Sequence, residues 1–465
     1  MAELWELSAG ELSRRIAKRE LSPVDLMRET LARIDAVNGD VNAIVSLRDR
    51  EVLMGEARLA EAMAPQGWLH GIPVAIKDLV ATKGLRSTSG SPLFADHVPT
   101  ADDGLARRLK AAGAIVIGKT NVPQFGLGSH SANPVFGVTR NPFDLTRTAG
   151  GSSGGAGAVL ATGMLSIADG SDMMGSLRNP AAWNDVWGFR PSVGLVPGEP
   201  GEKALLHRLS THGPMARSVS DMERLLTTMS DGAFRAASDE SASVKVGWLA
   251  DWGGAYPMDA GLLEAGSEAL TAVSESLGWE INLVAPPVDA ELLWESWTTL
   301  RSFVVAMELG CHWRAETERG LLNAQAVWEI ERGLSLTGDA IERALAQRQI
   351  WLAALHDLFT RHDALILPST QIWPFPAKWD WPKEVAGRAM DTYHRWMEVV
   401  VPASLAGVPA IAMPAGYDEQ TGLPHGLQMF GAHGADPKLL ALGRAWERAI
   451  GPRQCRDPRH FARDG

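Results

Sequence analysis

The chain has 465 residues but only two cysteines, Cys311 and Cys455, and it has no apolar run as long as the roughly 18 residues of a membrane span. Two cysteines far apart in sequence form neither a zinc-ligand spacing nor a disulfide framework, so we expect free thiols in a reducing compartment. The first residues also lack the basic and apolar regions of a secretory leader. These features predict a cytoplasmic protein that does not act at a membrane.

Positive charge is also scarce, because 44 Lys and Arg stand against 55 Asp and Glu and give a formal net charge of −11. Neutralising the phosphates of a nucleic acid requires basic patches, so no nucleic-acid partner is predicted. No H-E-x-x-H spacing occurs, and the G-K-[ST] at Gly118-Lys119-Thr120 follows a strand-type apolar run and not a glycine-rich loop. We therefore expect neither a metal nor another cofactor.

Apolar residues make up 45% of the chain, which is enough for a substantial core. Ser8 and Ser22 predict helix starts, since a serine hydroxyl caps a free backbone N–H and Pro23 suits the first helical position. Strand-type apolar runs lie at 72–76, 114–117, 244–249, 280–284 and 364–368, and amphipathic helices at 103–112 and 262–277. This alternation favours an α/β fold with a central mixed, mostly parallel twisted β-sheet covered by helices on both faces.

We expect a single large domain over residues 1–465. Its predicted parts are an N-terminal helical arm at 1–55, a catalytic core at 60–225, a variable helical and substrate-loop region at 285–400, and a C-terminal part of the core at 401–465. The loop at 371–384 contains several prolines and tryptophans and is predicted to be ordered.

Two serines in glycine-rich segments carry the chemical signal. Ser152 lies in Gly-Gly-Ser-Ser-Gly-Gly, Ser176 follows Asp-Met-Met-Gly, and Lys77 ends the apolar run at 72–76. Glycine-rich turns let side chains and backbone N–H groups approach a substrate closely. Burial lowers the pKa of a lysine because it disfavours the cation, and a neutral lysine is a base. The pattern predicts a hydrolase that uses serine without histidine.

A competing interpretation of the first segment is a G-x-S-x-G elbow, which would make Ser153 the nucleophile of an esterase. That arrangement requires an acid and a histidine further along the chain. His425 and His433 are available, but nothing in their sequence surroundings marks either as catalytic.

Taken together, these segments resemble the amidase signature family. The similar stretches are 69–78, 148–197, 213–218, 405–410 and 422–428. They span nearly the whole chain apart from about 285–400, where the substrate pockets of the family vary. The resemblance implies an amidase signature fold and hydrolysis of an amide C–N bond.

The resemblance also implies a Lys–Ser–Ser triad. Ser176 would be the nucleophile, Ser152 a proton-relay bridge that follows a cis peptide bond to Gly151, and neutral Lys77 the general base. The implied oxyanion hole consists of the backbone N–H groups of Met173, Met174, Gly175 and Ser176. Supporting residues would be Ser153, which supports the turn; Asp172, which accepts hydrogen bonds from backbone N–H groups; and Arg178, which binds either a substrate carboxylate or an internal acid.

Met174 stands where the family usually has a glycine. We expect its backbone to stay in a region permitted to non-glycine residues, and both methionines to line the pocket. The chain contains 17 tryptophans and only 3 tyrosines, and several aromatic residues lie at 371–382. The predicted substrate pocket is formed by Phe125, Leu127, Met174, Trp373 and Phe375. The competing interpretation is that the loop aromatics cover a core.

The sequence therefore predicts an amidohydrolase for small apolar or aromatic amides, a range that extends to anilides, carbamates or esters. Its partner would be the small-molecule amide, and the protein would be a monomer or homodimer. Two alternatives besides the Ser153 esterase stay open. One is a glutaminase-type component of a tRNA-dependent amidotransferase, and the other is a non-catalytic binding protein on the same fold.

Overall fold

A computed structural model describes residues 3–198, 209–238 and 243–458. Its α-helices are α1 Ala9–Ala17, α2 Pro23–Val41, α3 Arg50–Ala62, α4 Gly104–Ala111, α5 Gly154–Ala161, α6 Arg178–Trp183, α7 Val219–Met229, α8 Leu262–Leu277, α9 Ala290–Arg314, α10 Glu316–Arg319, α11 Ala324–Ser335, α12 Gly338–Phe359, α13 Val401–Ala406 and α14 Asp436–Ile450. Its strands are β1 Ile44–Val45, β2 Pro73–Lys77, β3 Ile115–Thr120, β4 Ala132–Asn133, β5 Gly137–Val138, β6 Arg140–Asn141, β7 Asp144–Thr148, β8 Ile167–Asp172, β9 Trp187–Arg190, β10 Thr211–Ala216, β11 Lys245–Trp248, β12 Glu280–Leu283, β13 Ala364–Pro368, β14 Glu384–Val385, β15 Arg388–Ala389, β16 Ala410–Tyr417 and β17 Pro424–Phe430.

The central sheet has eight strands in the order β12-β11-β13-β17-β16-β9-β10-β8. The predicted mixed α/β sheet is confirmed, but the expectation that it is mostly parallel is wrong. Only β11 pairs in parallel, with β12 and with β13, and the other pairings in the described sheet are antiparallel. The strand–helix–strand pattern around 244–284 correctly indicated parallel neighbours. The short connection from β16 to β17 joins antiparallel strands, because a parallel crossover needs a dozen or more residues.

Helices cover both faces of this sheet, as predicted. Successive residues of β13 show the alternation: Ile366 packs in a cluster with α7, α8 and α14, whereas Leu365 and Leu367 pack on the opposite side with α9 and α13. A strand buried on both faces is apolar at every position, which is why the run at 364–368 was recognisable in the sequence. Within the described ranges, no helix is both long and apolar enough to cross a bilayer.

The predicted helix boundaries follow their caps. Ser8 Oγ accepts a hydrogen bond from the Glu11 N–H at 3.1 Å, and Ser22 Oγ accepts one from the Val24 N–H at 3.0 Å. Helix α8 covers the predicted residues and is followed by Gly278 at φ 69°, a left-handed conformation that glycine adopts without steric cost. Local sequence therefore fixed where these helices begin and end.

A smaller sheet with the order β1-β3-β2 carries the lysine of interest. Strands β2 and β3 are parallel, and Lys77, the last residue of β2, pairs with Thr120. The Lys77 backbone N–H donates a hydrogen bond to the Asp169 carboxylate on β8 at 3.0 Å. This contact places the carboxyl end of β2 next to the central sheet and next to the serine segments.

Candidate active site

The Lys77 amine is surrounded by serine hydroxyls. Its Nζ lies 2.9 Å from Ser152 Oγ, 2.8 Å from Ser153 Oγ and 3.0 Å from Ser171 Oγ. Ser152 and Ser153 immediately precede α5, and Ser171 lies on β8. Lys77 is fully buried, as the apolar run before it indicated. Ser171 was missed in the sequence, where it precedes Asp172 with no motif of its own.

Burial lowers the pKa of Lys77 to about 7, and the negative charges of Asp169 and Asp172 oppose this shift only in part. A lysine with this pKa is largely neutral just above neutral pH. A neutral amine keeps a lone pair, so it can accept a proton from a hydroxyl that already lies within hydrogen-bond distance. The amine thus has the ionisation and the geometry of a general base.

The peptide bond between Gly151 and Ser152 is cis, in agreement with what the resemblance implied. Gly151 is required there by space, since a Cβ at this position would lie 2.8 Å from the backbone nitrogen of His130. The Gly151 carbonyl accepts a hydrogen bond from Ser129 Oγ at 2.6 Å. These contacts hold Ser152 in position beside Lys77.

Ser176 lies in the turn between β8 and α6, is 7% exposed, and lines the same cavity as Ser152. Gly175, immediately before it, has φ 78°, so the left-handed conformation falls on the glycine and Met174 is unstrained, as expected. In the described part of the chain, Ser176 Oγ makes no hydrogen bond to Ser152 Oγ. Catalytic hydrogen bonds are often long without substrate and tighten when it binds.

The predicted four-donor oxyanion hole needs one correction. The Gly175 N–H donates to Asp172 Oδ1 at 2.9 Å and is therefore not available to a substrate. Among the described residues, the backbone N–H groups of Met173, Met174 and Ser176 have no acceptor, and all three residues line the cavity. Three N–H groups thus remain as candidate oxyanion donors.

Asp172 fixes the turn around Ser176. Besides the Gly175 N–H, its carboxylate accepts the Leu177 N–H at 3.2 Å and Arg178 Nε at 3.0 Å, and it also pairs with Arg190. Burial alone would raise the pKa of Asp172, but the two guanidinium charges and these hydrogen bonds hold it well below its ordinary value. Arg178 is fully buried and also contacts Gln428 and Ser404, so it forms an internal ion pair.

We expect Asp172→Asn to lower the free energy of unfolding by about 3–5 kcal/mol, because it leaves two buried guanidinium groups without their carboxylate. Urea unfolding at unchanged slope measures this loss. The control is Asp357→Asn, which removes an exposed i,i+4 ion pair with Arg361 and should change stability little. Equal stabilities of the two variants would contradict the structural importance of Asp172.

The cavity in front of Ser176 has a volume of about 380 Å³. Phe125, Leu127 and Met174 line it, in agreement with the predicted positions. Its other walls include Val305, Leu309 and Met397, together with the polar residues Ser210, Thr211, His212, Arg301 and Glu308. Arg301 and its neighbours on α9 were missed, because no motif was recognised in 285–400 and periodicity alone does not say which helix face meets a cavity.

Trp373 and Phe375 do not line this cavity, so that part of the predicted pocket is wrong. They border a separate cavity of about 400 Å³. Phe375 is buried against Trp183 and Trp396, and its carbonyl accepts the Thr148 N–H at 2.9 Å. This hydrogen bond joins the loop to β7. Because the Phe375 ring is buried against two tryptophans, it covers a core, as the competing interpretation held.

The Ser153 elbow is not formed. Ser153 Oγ contacts the Lys77 amine, and within the described ranges neither His425 nor His433 hydrogen-bonds to it. The ring of His425 packs edge-on against Trp373, and burial lowers the pKa of this histidine to about 4. Neither histidine is therefore placed to activate Ser153.

Comparison with known proteins identifies the family of this chain. The family model described as Amidase matches residues 25–440. The chain belongs to the amidase signature family. An acylamidase of Rhodococcus erythropolis is 31% identical, with 95% of each chain covered. One of the glutamyl-tRNA(Gln) amidotransferase subunits of Thermus thermophilus is 33% identical over 97% of this chain and 98% of that one.

Solved structures of the family share the whole fold. A bacterial aryl acylamidase matches with a TM-score of 0.86 and 25% identity over 95% of this chain and 96% of that one. A structure described as an amidase matches with a TM-score of 0.85 and 30% identity over 96% of this chain and 100% of that one. This member of the family is an amide-hydrolysing enzyme, and the non-catalytic interpretation is set aside.

Proposed function

We propose that this amidase hydrolyses small amides through an acyl-enzyme on Ser176. The observation that carries the proposal is the buried Lys77 amine, whose Nζ lies 2.9 Å from Ser152 Oγ at the wall of the cavity that Ser176 shares. A serine hydroxyl becomes a strong nucleophile only beside a base, and this arrangement supplies the base without a histidine.

In the proposed reaction, neutral Lys77 takes the proton of Ser152 Oγ while Ser152 takes that of Ser176 Oγ. The Ser176 oxygen attacks the amide carbonyl, and the N–H groups of Met173, Met174 and Ser176 donate hydrogen bonds to the resulting oxyanion. The proton returns through Ser152 to the leaving nitrogen as the C–N bond breaks. Water, activated by the same relay, then hydrolyses the ester and releases the acid.

The walls of the cavity support a small substrate with an apolar part. Phe125, Leu127, Val305 and Leu309 offer apolar surface close to Ser176, and apolar walls with a few polar groups are typical of small-molecule sites. We propose simple aliphatic and aryl amides as substrates, with anilides, carbamates and esters as further members of the class.

A panel of aliphatic, aryl and amino-acid amides, anilides, carbamates and esters tests this proposal. The purified single chain should hydrolyse at least one small apolar or aromatic amide, and a fluorophosphonate should label Ser176 and stop turnover. Intact mass and peptide mapping locate the label. Turnover that persists after complete labelling of Ser176, or a label on another serine, would contradict the acyl-enzyme.

Activity should rise with pH through about 7, because burial lowers the pKa of Lys77 to that value and only its neutral form acts as a base. Below this pKa, kcat/KM should fall about tenfold per pH unit, and above it kcat/KM should level off. The measurement uses an uncharged anilide, so that the substrate itself does not titrate. A profile that is flat or that falls with rising pH would refute Lys77 as the base.

A second candidate function has a specific observation in its favour. A relative that is 33% identical over 97% of this chain is named as one component of a glutamyl-tRNA(Gln) amidotransferase. We propose glutamine hydrolysis in support of a partner chain as the alternative. Ammonia release from glutamine, with no turnover of anilides by the single chain, would favour it; anilide turnover with no glutaminase activity would favour the stand-alone amidase.

A further inference from the structure

Arg301 is a buried cation in the wall of the cavity. It lies on α9, where Val305 and Leu309 follow at successive turns of the helix and also line the cavity. Its side chain is 3% exposed, so few water molecules can satisfy its donors. A guanidinium stays charged in a protein and offers five N–H donors in a fixed plane.

Two parts of this guanidinium have strong partners. Nε donates to Glu329 Oε1 at 2.6 Å, and Nη2 donates to the hydroxyl of Tyr393 at 2.9 Å. Glu329 also accepts hydrogen bonds from Tyr393 and from Ser302. These contacts join α9 to α11 and explain why an arginine and a glutamate are tolerated together in the interior.

The third part of the guanidinium has a poor partner. Nη1 donates to the thioether sulfur of Met173 at 3.1 Å, and a thioether is only a weak acceptor. The ion pair with Glu329 uses Nε and does not need Nη1. The packing of α9 on α11 therefore does not explain why Nη1 points toward Met173. Nη1 is therefore a donor beside the cavity that a better acceptor can take over.

Met173 connects this donor to the reaction. Its side chain contacts Arg301, and its backbone N–H is one of the three proposed oxyanion donors. A group bound at Nη1 in place of the thioether would therefore lie close to the scissile carbonyl. Glu308, which follows Arg301 on α9, also lines the cavity. A substrate oxygen that binds Arg301 must therefore do so in a cavity that also holds an acidic side chain.

We propose that Arg301 determines specificity by binding a second oxygen acceptor of the substrate, a ketone or carboxylate oxygen a few bonds from the scissile carbonyl. The preferred substrates are then small amides whose acyl group carries such an oxygen, with the remaining apolar part against Leu127 and Leu309. This inference rests on the proposed amidase function and names its substrate class.

Three anilides of nearly equal size test it: butyranilide, acetoacetanilide and malonanilate. The acyl groups differ by a methylene, a ketone and a carboxylate at the relevant position. In Arg301→Met we expect kcat/KM for acetoacetanilide, malonanilate or both to fall about 10- to 150-fold more than kcat/KM for butyranilide. The substrate that loses more identifies the neutral or the charged acceptor. Comparing variant with wild type for each anilide cancels differences in intrinsic reactivity.

Because Arg301→Met leaves Glu329 buried and unpaired, Arg301→Met/Glu329→Gln serves as a second variant in which both charges are removed. Ser302→Ala is the matched control: it removes a hydrogen bond to Glu329 in the same network but no group from the cavity wall. Ser302→Ala should lower thermal stability and preserve the relative kcat/KM of the three anilides. The same selective loss in both Arg301 variants would support the proposal.

An equal loss for all three anilides, with turnover still dependent on Ser176, would overturn the role of Arg301 and leave the amidase function intact. Absence of any Ser176-dependent turnover would instead overturn the function. Calorimetric binding of malonate and butyrate to the wild type and Arg301→Met tests the donor without turnover. If malonanilate is among the substrates that lose activity, malonate should bind about tenfold or more weakly to the variant, and butyrate should bind equally to both proteins. Unchanged malonate affinity together with unchanged anilide selectivity would overturn the inference.

Discussion

Ser176→Ala should reduce kcat for the best amide by roughly 10⁴- to 10⁶-fold, since removal of a catalytic serine eliminates the covalent route and leaves only binding and oxyanion contacts. KM should change little, because the lost hydroxyl contributes little to binding of the ground state. The variant should also fail to react with a fluorophosphonate. Initial rates under saturating substrate, with single-turnover assays for the residual activity, measure the effect.

Ser153→Ala is the matched control for this experiment. It removes a hydroxyl from the other glycine-rich segment of the site, and with it a 2.8 Å contact to Lys77, but it leaves the attacking oxygen in place. We expect a loss of only about tenfold, from one hydrogen bond to the base. A fully active Ser176→Ala protein together with an inactive Ser153→Ala protein would instead restore the Ser153 esterase interpretation.

Lys77→Met should lower kcat/KM by about 10²- to 10⁴-fold, the usual contribution of a general base. Methionine matches the length and apolar character of the buried lysine stem but accepts no proton. Lys77→Arg should not rescue activity, because a guanidinium is not deprotonated at accessible pH. A merely structural cation would be at least partly replaced by arginine, so recovery of activity in Lys77→Arg would contradict the assignment of Lys77 as base.

Lys119 offers a matched control within the same small sheet. It is fully buried on β3, contacts Thr82 Oγ1 at 2.9 Å, and burial lowers its pKa to about 8. Lys119→Met should therefore cost stability much as Lys77→Met does, while kcat/KM stays within severalfold of the wild type. Equal losses of activity in the two variants would indicate that buried lysines act here through the fold rather than through chemistry.

Local signals explain which elements were predictable. The cap of Ser22 with Pro23, the glycine that ends α8, and the wholly apolar β13 each depend on residues close together in the chain. Whether neighbouring strands run parallel or antiparallel was harder to predict from the sequence. Five of the seven pairings in the described central sheet proved antiparallel, because pairing depends on which distant strand lies alongside and not on the composition of either strand.

The candidate active site also has one part that was predictable from the sequence and another that was not. The resemblance of short segments to the amidase signature family named Lys77, Ser152 and Ser176 and placed Met174 at the pocket. Both serines and Met174 lie in short glycine-rich segments, and Lys77 ends an apolar strand. The prediction that Asp172 accepts backbone N–H groups is confirmed, but the sequence did not show that the Gly175 N–H is one of them, which leaves three donors near Ser176. The sequence also did not show that Trp373 and Phe375 lie outside the substrate pocket. The hydrogen bond that holds this loop in place joins Thr148 to Phe375, which are far apart in the chain.

By itself, the sequence determined the family, the α/β class and the candidate nucleophile, bridge and base, because the strand and helix patterns and the motifs of the family each lie in short contiguous segments. Only the tertiary structure decided the lining of the cavity. Helix α9 brings Arg301 beside Met173, although their positions lie more than a hundred residues apart, and α11 supplies the Glu329 that compensates its charge. Such contacts depend on how whole helices pack. A helix orients itself by burying its apolar face, and this orientation decides which of its side chains face the substrate.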